Sequence, residues 1–233
     1  MIKFENTEVI GWESAIRGMR NPMKSWEKSD NGWFSSEDDM GVDYVQYNSH
    51  SDPSELYFVG QNDLDLMARL RNAGTDHRKF MRMITVYVDI TAPLYWWKEF
   101  DTYKVGTVAN SCSTMHKIAE KEFTIDDFSC EHLFDGRTTM KINTQIILKD
   151  TIEALNFLRK MYLASKDKDF WWNMIQLLPS SYNQKRTVML NYEVLANIYK
   201  SRKNHKLDEW SVGFMGWIES LPYSELITGE EKK

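Results

Sequence analysis

The sequence predicts an α+β fold in which helices dominate and a few strands lie between them. Several segments place apolar residues at helical spacing, and "NDLDLMARLRNAG" is the clearest of them. In contrast, "MITVYVDIT" alternates with a period of two, which is typical of a strand. The two kinds of segment do not alternate regularly, as they do in a doubly wound parallel sheet, so we expect α+β rather than α/β.

Composition limits the classes of function. The chain has 233 residues, of which 42% are hydrophobic and 27% are charged, which indicates a globular protein with a sizeable core. The formal net charge of -5 gives no global reason to expect a nucleic-acid partner. Cys112 and Cys130 cannot form a disulfide framework, and no closely spaced Cys/His set predicts zinc. Because neither a signal-peptide layout nor a long apolar run is present, we expect a cytoplasmic protein without a membrane segment.

The first half of the chain predicts a strand, a helix, a loop, a helix and a strand in that order. "MIKFENTEVI" is the opening strand, and "GWESAIRGMR" is a helix with Trp12, Ile16 and Met19 on one side. Residues 21–54 are rich in Ser, Asp, Asn and Gly, which predicts a long loop or insertion in a single domain spanning 1–233.

Helix and strand boundaries follow from the next residues. Asn62 is the expected cap of the helix that begins there, and Gly74 its expected end. In the strand that follows, Ile84, Val86, Val88 and Ile90 share one face. Thr91 and Pro93 are expected to open a helix that continues to about Tyr103.

The second half of the chain is predominantly helical. "TMKINTQIILKDTIEALNFLRKMYLASK" predicts a strand or turn that leads into a strong amphipathic helix, and "DFWWNMIQLLP" a short helix stopped by Pro179. "RTVML" is extended, and "NYEVLANIYKSR" and "LDEWSVGFMGWIESLP" are further helices. The residues expected to face inward on the long helix are Ile152, Leu155, Leu158, Met161 and Tyr162.

Three clusters are candidates for binding, and each has a structural alternative. "GTDHRKFMR" brings His77, Arg78 and neighbouring cations together, either around a phosphate or as a solvated basic turn. "DTYKVGTVANSCSTMH" offers hydroxyl and amide groups around Gly106 that suit an oxyanion, or that merely cap a helix terminus. Cys112 there is either a nucleophile or a small buried thiol. Nearer the C-terminus, Asn191 and Arg202 face a ligand, or Arg202 pairs with an acid such as Glu209.

These segments, taken in order, resemble the flavin-dependent thymidylate synthases. In that family a His-containing turn is followed by a strand, a helix and the motif R-H-R-x-x-S with a downstream Asn-x-x-Ser. Here the order is "LRNAGTDHRKF", "MITVYVDIT", "APLYWWKEF" and "TYKVGTVANSCS". Asn110 and Ser113 match the Asn-x-x-Ser spacing, and Thr107 matches the family serine if one residue is inserted after it. "LLPSSYNQKRTVMLNYEVLANIYKSRKNHKLDEW" is similar to the family's C-terminal half.

The resemblance implies a helix-rich fold with a small, mainly antiparallel sheet, and a homotetramer with sites between subunits. It implies FAD as cofactor and a dUMP-like nucleotide as ligand. An active member would be a methyltransferase that uses a folate as one-carbon donor and NADPH as hydride source. The cofactor-binding residues that it implies are His77, Arg78, Lys104, Thr107, Asn110 and Asn191. The substrate-binding residues that it implies are Ser111, Ser113 and Arg202. It assigns no catalytic residue and no metal.

The departures from the family pattern concern its arginines. Where the family has Arg-His-Arg, this chain has Thr102, Tyr103 and Lys104. Its Asn-x-Arg is here Asn191 followed by a glutamate two residues on, and the arginine that activates the pyrimidine is replaced by Ser211. Each lost guanidinium removes a charge-assisted contact worth about 1.5–3 kcal/mol. The alternative prediction is therefore a non-catalytic nucleotide-binding or protein-interaction module on the same fold.

Overall fold

The structure is a computed structural model and describes residues 2–35, 44–47, 55–134 and 142–229. It confirms the predicted α+β class, because helices predominate over short strands. The helices are α1 (Trp12–Arg20), α2 (Gln61–Asn72), α3 (Leu94–Phe100), α4 (Thr114–Lys117), α5 (Thr144–Ser165), α6 (Lys168–Leu177), α7 (Tyr192–Arg202), α8 (Met215–Glu219) and α9 (Glu225–Thr228). The strands are β1 (Lys3–Ile10), β2 (Gly32–Ser35), β3 (Tyr44–Tyr47), β4 (Glu55–Phe58), β5 (Thr85–Pro93), β6 (Val108–Ser111) and β7 (Asn183–Asn191). A 3-10 turn spans Arg78–Arg82, and a π-helical segment, Glu209–Phe214, precedes α8.

The strands form two sheets. Strand order in the larger sheet is β1-β5-β7-β6, and in the smaller sheet it is β2-β4-β3. Both pairs of the smaller sheet are antiparallel, with Trp33 opposite Tyr57. The segment 21–54, expected to be a loop or insertion, thus supplies β2 and β3. Strands of four residues are too short for their alternation to stand out from the polar residues around them. Residues 36–43 and 48–54 of that segment lie outside the described residues.

The chain divides into two compact units. The first unit lies within residues 1–3, 90–102 and 110–187, and the second within 4–89, 103–109 and 188–233. The expectation of a single domain stays a prediction.

The first unit has its core beside α5 and α6. Phe123 and Phe128 pack with Leu148 and Leu155 of α5 and with Met174 of α6. The inward face predicted for α5 is present: Leu155 is fully buried. Three other predicted residues pack against the core while partly buried, namely Ile152, Leu158 and Tyr162.

The second unit has its core beside α1, α7 and the first half of β5. The predicted face of β5 is buried, with Val86 and Val88 out of contact with solvent. Trp12 of α1 is also fully buried, and its ring meets the ring of Tyr192 edge to face at 5.4 Å. The predicted amphipathic character of α1 is therefore confirmed.

Two helix boundaries differ from the sequence expectation. Pro93 ends β5 and caps α3, which stops at Phe100 instead of continuing to Tyr103. At the start of α2, Asn62 is not the cap. Instead, the Asp30 carboxylate accepts hydrogen bonds from the backbone N–H groups of Asn62 (2.9 Å) and Asp63 (3.1 Å). A side chain that caps from a distant segment leaves no local spacing for a sequence pattern to detect.

Candidate functional site

A tight turn over residues 103–107 carries two of the predicted site residues. The Thr107 hydroxyl donates to the backbone carbonyl of Tyr103 at 2.6 Å, which closes the turn and leaves Lys104 exposed. Gly106 has a φ of +79°, in the left-handed region that favours glycine. A Cβ at Gly106 would lie 3.0 Å from the Val194 side chain and 3.4 Å from Asn191 Nδ2. The turn therefore packs closely against the start of α7, and glycine is what allows it.

Asn191 occupies the capping position of α7. Its Oδ1 accepts a hydrogen bond from the backbone N–H of Val194 at 3.0 Å, which satisfies one of the free donors of the first turn. The carboxamide oxygen is thus engaged by the helix, while the Nδ2 side lies toward Gly106. The N-terminus of a helix carries a partial positive charge, and the exposed Lys104 lies on the turn that packs against this end of α7.

Arg202 lies at the opposite end of α7 and contacts the same turn. Its Nε donates to the Tyr103 hydroxyl at 2.8 Å. Its guanidinium lies 5.0 Å from the ring centroid of Trp210, which is fully buried in the π-helical segment. Cation–π contact and a hydrogen bond hold this guanidinium in one place. Short π-helical segments are frequent at functional sites.

The predicted basic cluster is engaged by a carboxylate of the same chain. Arg78 Nε lies 3.3 Å from Glu193 Oε1, and Arg82 Nε bonds to Oε2 of the same buried side chain. Arg78 Nη2 also donates to Asn197 Oδ1 at 3.2 Å. Two cations of the cluster are therefore paired with a carboxylate, although Arg82 keeps 55% of its side chain exposed. His77, just before the 3-10 turn, is exposed.

Positive charge nevertheless remains beside this ion pair. Arg71 donates to the backbone carbonyls of Leu226 (3.2 Å) and Ile227 (3.3 Å). Burial and then the nearby charge of Arg78 lower the pKa of Arg71. Since the two guanidiniums of Arg78 and Arg82 engage a single carboxylate, the cluster keeps a net positive charge.

The remaining predicted residues belong to the first unit. Asn110 and Ser111 are exposed on β6, and Ser113 caps α4 by accepting a hydrogen bond from the His116 N–H at 3.3 Å. A surface cleft of about 310 Å³ opens beside Ser113. Residues lining this cleft include Cys112, Thr114, Lys117, Lys121 and Gln184. Cys112 is an exposed free thiol, so the expectation of a buried one is wrong.

The structure gathers some predicted residues and separates others. One turn of the second unit carries Lys104 and Thr107, and it contacts Asn191 and Arg202 at the two ends of α7. Arg78 bonds to Glu193, two positions after Asn191. Sequence reasoning missed the partners that fix them. Tyr103 and Trp210 hold Arg202, and a Tyr in place of the family's His was the available signal.

Two further findings concern metals and membranes. Within the described parts of the chain, no group of three or more His, Cys, Asp or Glu side chains is placed to hold a metal ion. Among the same residues, no helix combines the length and the apolar character that a membrane span requires.

Comparison with known proteins identifies the fold. No protein-family model and no curated protein sequence matches the chain. A structure of thymidylate synthase X (ThyX) from Helicobacter pylori with FAD and dUMP matches with a TM-score of 0.65 and 15% identity, over 98% of each chain. A second structure, of the flavin-dependent thymidylate synthase ThyX from Helicobacter pylori complexed with FAD and dUMP, matches with a TM-score of 0.62 and 15% identity. That match covers 98% of this chain and 100% of the other. The chain therefore has a ThyX-like fold, which confirms the predicted resemblance at the level of the fold.

Proposed function

We propose that this chain is a diverged flavin-dependent thymidylate synthase-like protein that binds FAD and a pyrimidine nucleotide. One observation carries the proposal: the fold matches, along 98% of the chain, that of ThyX solved with FAD and dUMP. The arrangement around the 103–107 turn supports it, because this turn combines an exposed ammonium, a helix N-terminus and a fixed guanidinium. Such groups bind phosphate oxygens.

The second unit holds most of the groups that we assign to the cofactor. The Lys104 ammonium and the N-terminal end of α7 at Asn191 attract a phosphate, and Thr107 keeps the turn closed. Arg78, which pairs with Glu193, and the exposed His77 before the 3-10 turn are also assigned to the cofactor. Arg202 is assigned to the nucleotide substrate, because its guanidinium is held in one orientation before any ligand arrives. In the first unit we assign Asn110 to the cofactor, and Ser111 and Ser113 to the substrate.

If the protein is active, the reaction is the methylation of dUMP, with a folate as one-carbon donor and NADPH as reductant. FAD, when bound, supplies the hydride-transfer chemistry. The role of the chain is to bind and orient the ligands, and no protein nucleophile is required, so Cys112 has no assigned step. As in the family it resembles, we propose a homotetramer as the functional assembly.

A non-catalytic nucleotide-binding or protein-interaction module is the second candidate, and two observations favour it. Glu193 places a buried carboxylate where the family pattern has an arginine, and it engages Arg78 and Arg82. Ser211 stands where the family has the arginine that activates the pyrimidine, and its hydroxyl donates to the Leu207 carbonyl at 3.3 Å. A hydroxyl cannot supply the forked, charged donor that a guanidinium gives.

The test is a titration of the purified full chain with FAD, with and without dUMP, followed by flavin fluorescence. We expect saturable binding that weakens by roughly tenfold in Lys104→Ala, the loss of one charge-assisted contact. Lys98→Ala, which removes an exposed lysine on α3, is the matched control and is expected to bind like the wild type. Absence of saturable binding at high micromolar FAD would rule out the flavoprotein proposal.

A second assay separates the two candidates. Release of tritium from dUMP labelled at C5, in the presence of FAD, NADPH and a methylene-carrying folate, reports the reaction itself. Turnover supports the enzyme. Saturable FAD binding without tritium release supports the non-catalytic module.

A further inference from the structure

Gln184 lines the surface cleft beside Ser113, here called the Ser113 cleft, and its carboxamide is held in one orientation. Its Oε1 accepts a hydrogen bond from Arg186 Nε at 3.0 Å, and an arginine side chain can only donate. Its Nε2 donates to the backbone carbonyl of Cys112 and to Thr114 Oγ1, both at 3.0 Å. The opposite orientation of the amide would set Nε2 against the Arg186 donor, so all of these contacts agree on one arrangement.

Arg186 is held in turn by neighbours in the same unit. Its Nη1 donates to Asp101 Oδ1 at 2.9 Å. Its guanidinium lies 4.2 Å from the ring centroid of Trp97, which is fully buried. The Trp97 Nε1 also donates to the backbone carbonyl of Gln184 at 2.9 Å. Trp97 and Arg186 therefore support Gln184, and Gln184 supports the 112–114 segment.

Thr114 is the member of this network that offers a ligand contact. Its side chain lines the Ser113 cleft and is partly exposed. Because Thr114 Oγ1 accepts from Gln184, its hydroxyl hydrogen points away from Gln184. The hydroxyl can then donate to a group that enters the cleft, and a charged oxyanion is the acceptor that gives the strongest hydrogen bond.

The charged residues around the cleft are compatible with an anionic ligand. Three of the lining residues are lysines and one is a glutamate. Lys117 pairs with Glu120, and both side chains are more than half exposed. Lys121 pairs with Asp127, and the lysine side chain is 70% exposed. Ion pairs with exposed lysines contribute little, so an incoming phosphate can compete for these ammonium groups.

We propose that Thr114 donates a hydrogen bond to a phosphate oxygen of the nucleotide in the Ser113 cleft. In this proposal Gln184 and Arg186 are positioning residues, which fix the direction of the Thr114 hydroxyl without touching the ligand. The inference rests on the proposed nucleotide binding and deepens it, because it adds residues to the substrate site beyond Ser111 and Ser113.

Calorimetric titration of the full chain with dUMP, in the presence of FAD, tests the role of the hydroxyl. Thr114→Val removes the hydroxyl at nearly constant size and should weaken dUMP binding by at least roughly tenfold. Thr114→Ser keeps a hydroxyl and should bind like the wild type. The matched control is Thr151→Val, which removes a hydroxyl that donates to the Ile147 carbonyl on α5 at 2.8 Å, and it should leave binding unchanged.

A double-mutant cycle tests the positioning role. Gln184→Met and Arg186→Met should each weaken dUMP binding severalfold in the otherwise unchanged chain. Because both act through Thr114, neither should weaken binding further when it is combined with Thr114→Val. Circular dichroism verifies that each variant is folded.

The outcomes separate this inference from the proposed function. A wild type that does not bind dUMP would overturn both. If the wild type binds dUMP but Thr114→Val binds it equally well, or Thr114→Ser fails to restore binding, the hydroxyl has no such role and the proposed function stands. If the effects of Thr114→Val and Gln184→Met simply add, Gln184 does not act through Thr114 and the positioning role is refuted.

Discussion

Asp63 is a fully buried carboxylate that accepts several hydrogen bonds, and its replacement gives a sharp prediction for stability. The side chain is 0% exposed, and the Arg20 guanidinium that it holds at 2.6 Å is 4% exposed. Its other oxygen accepts from Ser29 Oγ (2.7 Å), from the backbone N–H of Asp30 (3.0 Å) and from Asn31 Nδ2 (3.1 Å). Asp63 thereby ties α1 and the segment before β2 to the start of α2.

Asp63→Asn keeps the shape of the side chain and removes its charge. The Arg20 guanidinium then remains buried without a counter-charge, which costs about 3–5 kcal/mol. For a chain of this size each kcal/mol lowers the midpoint of thermal unfolding by about 2–4 °C, so we expect a decrease of about 6–20 °C. Replacing both partners by apolar residues, as in Arg20→Met with Asp63→Leu, should recover only part of this loss, because no isolated charge is left behind but the donors of Ser29, Asp30 and Asn31 lose their acceptor.

Differential scanning calorimetry of the full chain at pH 7 measures the effect. The matched control is Glu13→Gln, which breaks an ion pair to Arg17 at 3.9 Å whose side chains are 58% and 63% exposed. Exposed pairs contribute about 0–1 kcal/mol, so the control should unfold within a few degrees of the wild type. If Asp63→Asn unfolded at the temperature of the control, the buried pair would not have the role assigned here.

Three further predictions concern acid stability, the basic cluster and the turn. Burial acts to raise the pKa of Asp63, but its hydrogen-bond donors outweigh burial and hold the pKa below its usual value. The stability that Asp63 contributes is therefore present above an unfolded-state pKa of about 3.9 and lost as the pH falls through the lower folded value. The difference in urea midpoint between wild type and Asp63→Asn should shrink from pH 6 to pH 3, and a constant difference would contradict this. Glu193→Gln removes the carboxylate that engages Arg78 and Arg82, so these cations become available to a phosphate. Calorimetry should then show FAD or pyrophosphate bound roughly tenfold more tightly. Unchanged or weaker binding by folded protein would show that these cations do not meet a ligand. Gly106→Ala places a residue with a Cβ at a backbone φ of +79° and in close contact with the Val194 side chain. Urea titrations should show the free energy of unfolding lowered by about 1–2 kcal/mol. An unchanged free energy would mean that the turn relaxes freely.

Local patterns predicted the elements whose signal is contained in consecutive residues. The alternation of β5 and the amphipathic spacing of α1 both identify the faces that the structure buries, Val86 and Val88 in the strand and Ile16 in the helix. The fold class followed from the number and order of these elements. The resemblance in motif order then reached the ThyX-like fold at only 15% identity.

Features that depend on distant residues could not be predicted in this way. The Asp63–Arg20 pair joins positions 43 residues apart, and the Asp30 cap of α2 acts over 32 residues. No periodicity links such positions. The same holds for the candidate site: Arg202 was selected from the sequence, but the Tyr103 hydroxyl that fixes it lies 99 residues away.

We propose that the chain binds a flavin nucleotide through the groups around the 103–107 turn. The most direct test of this proposal is to incubate the purified protein with excess FAD, remove free ligand by desalting, and measure the flavin released on denaturation. We expect close to one FAD per chain for the wild type and for Lys98→Ala. We expect much less for Lys104→Ala combined with Asn191→Ala in a variant that is folded by circular dichroism. Flavin retained equally by all three proteins, or by none of them, would contradict it.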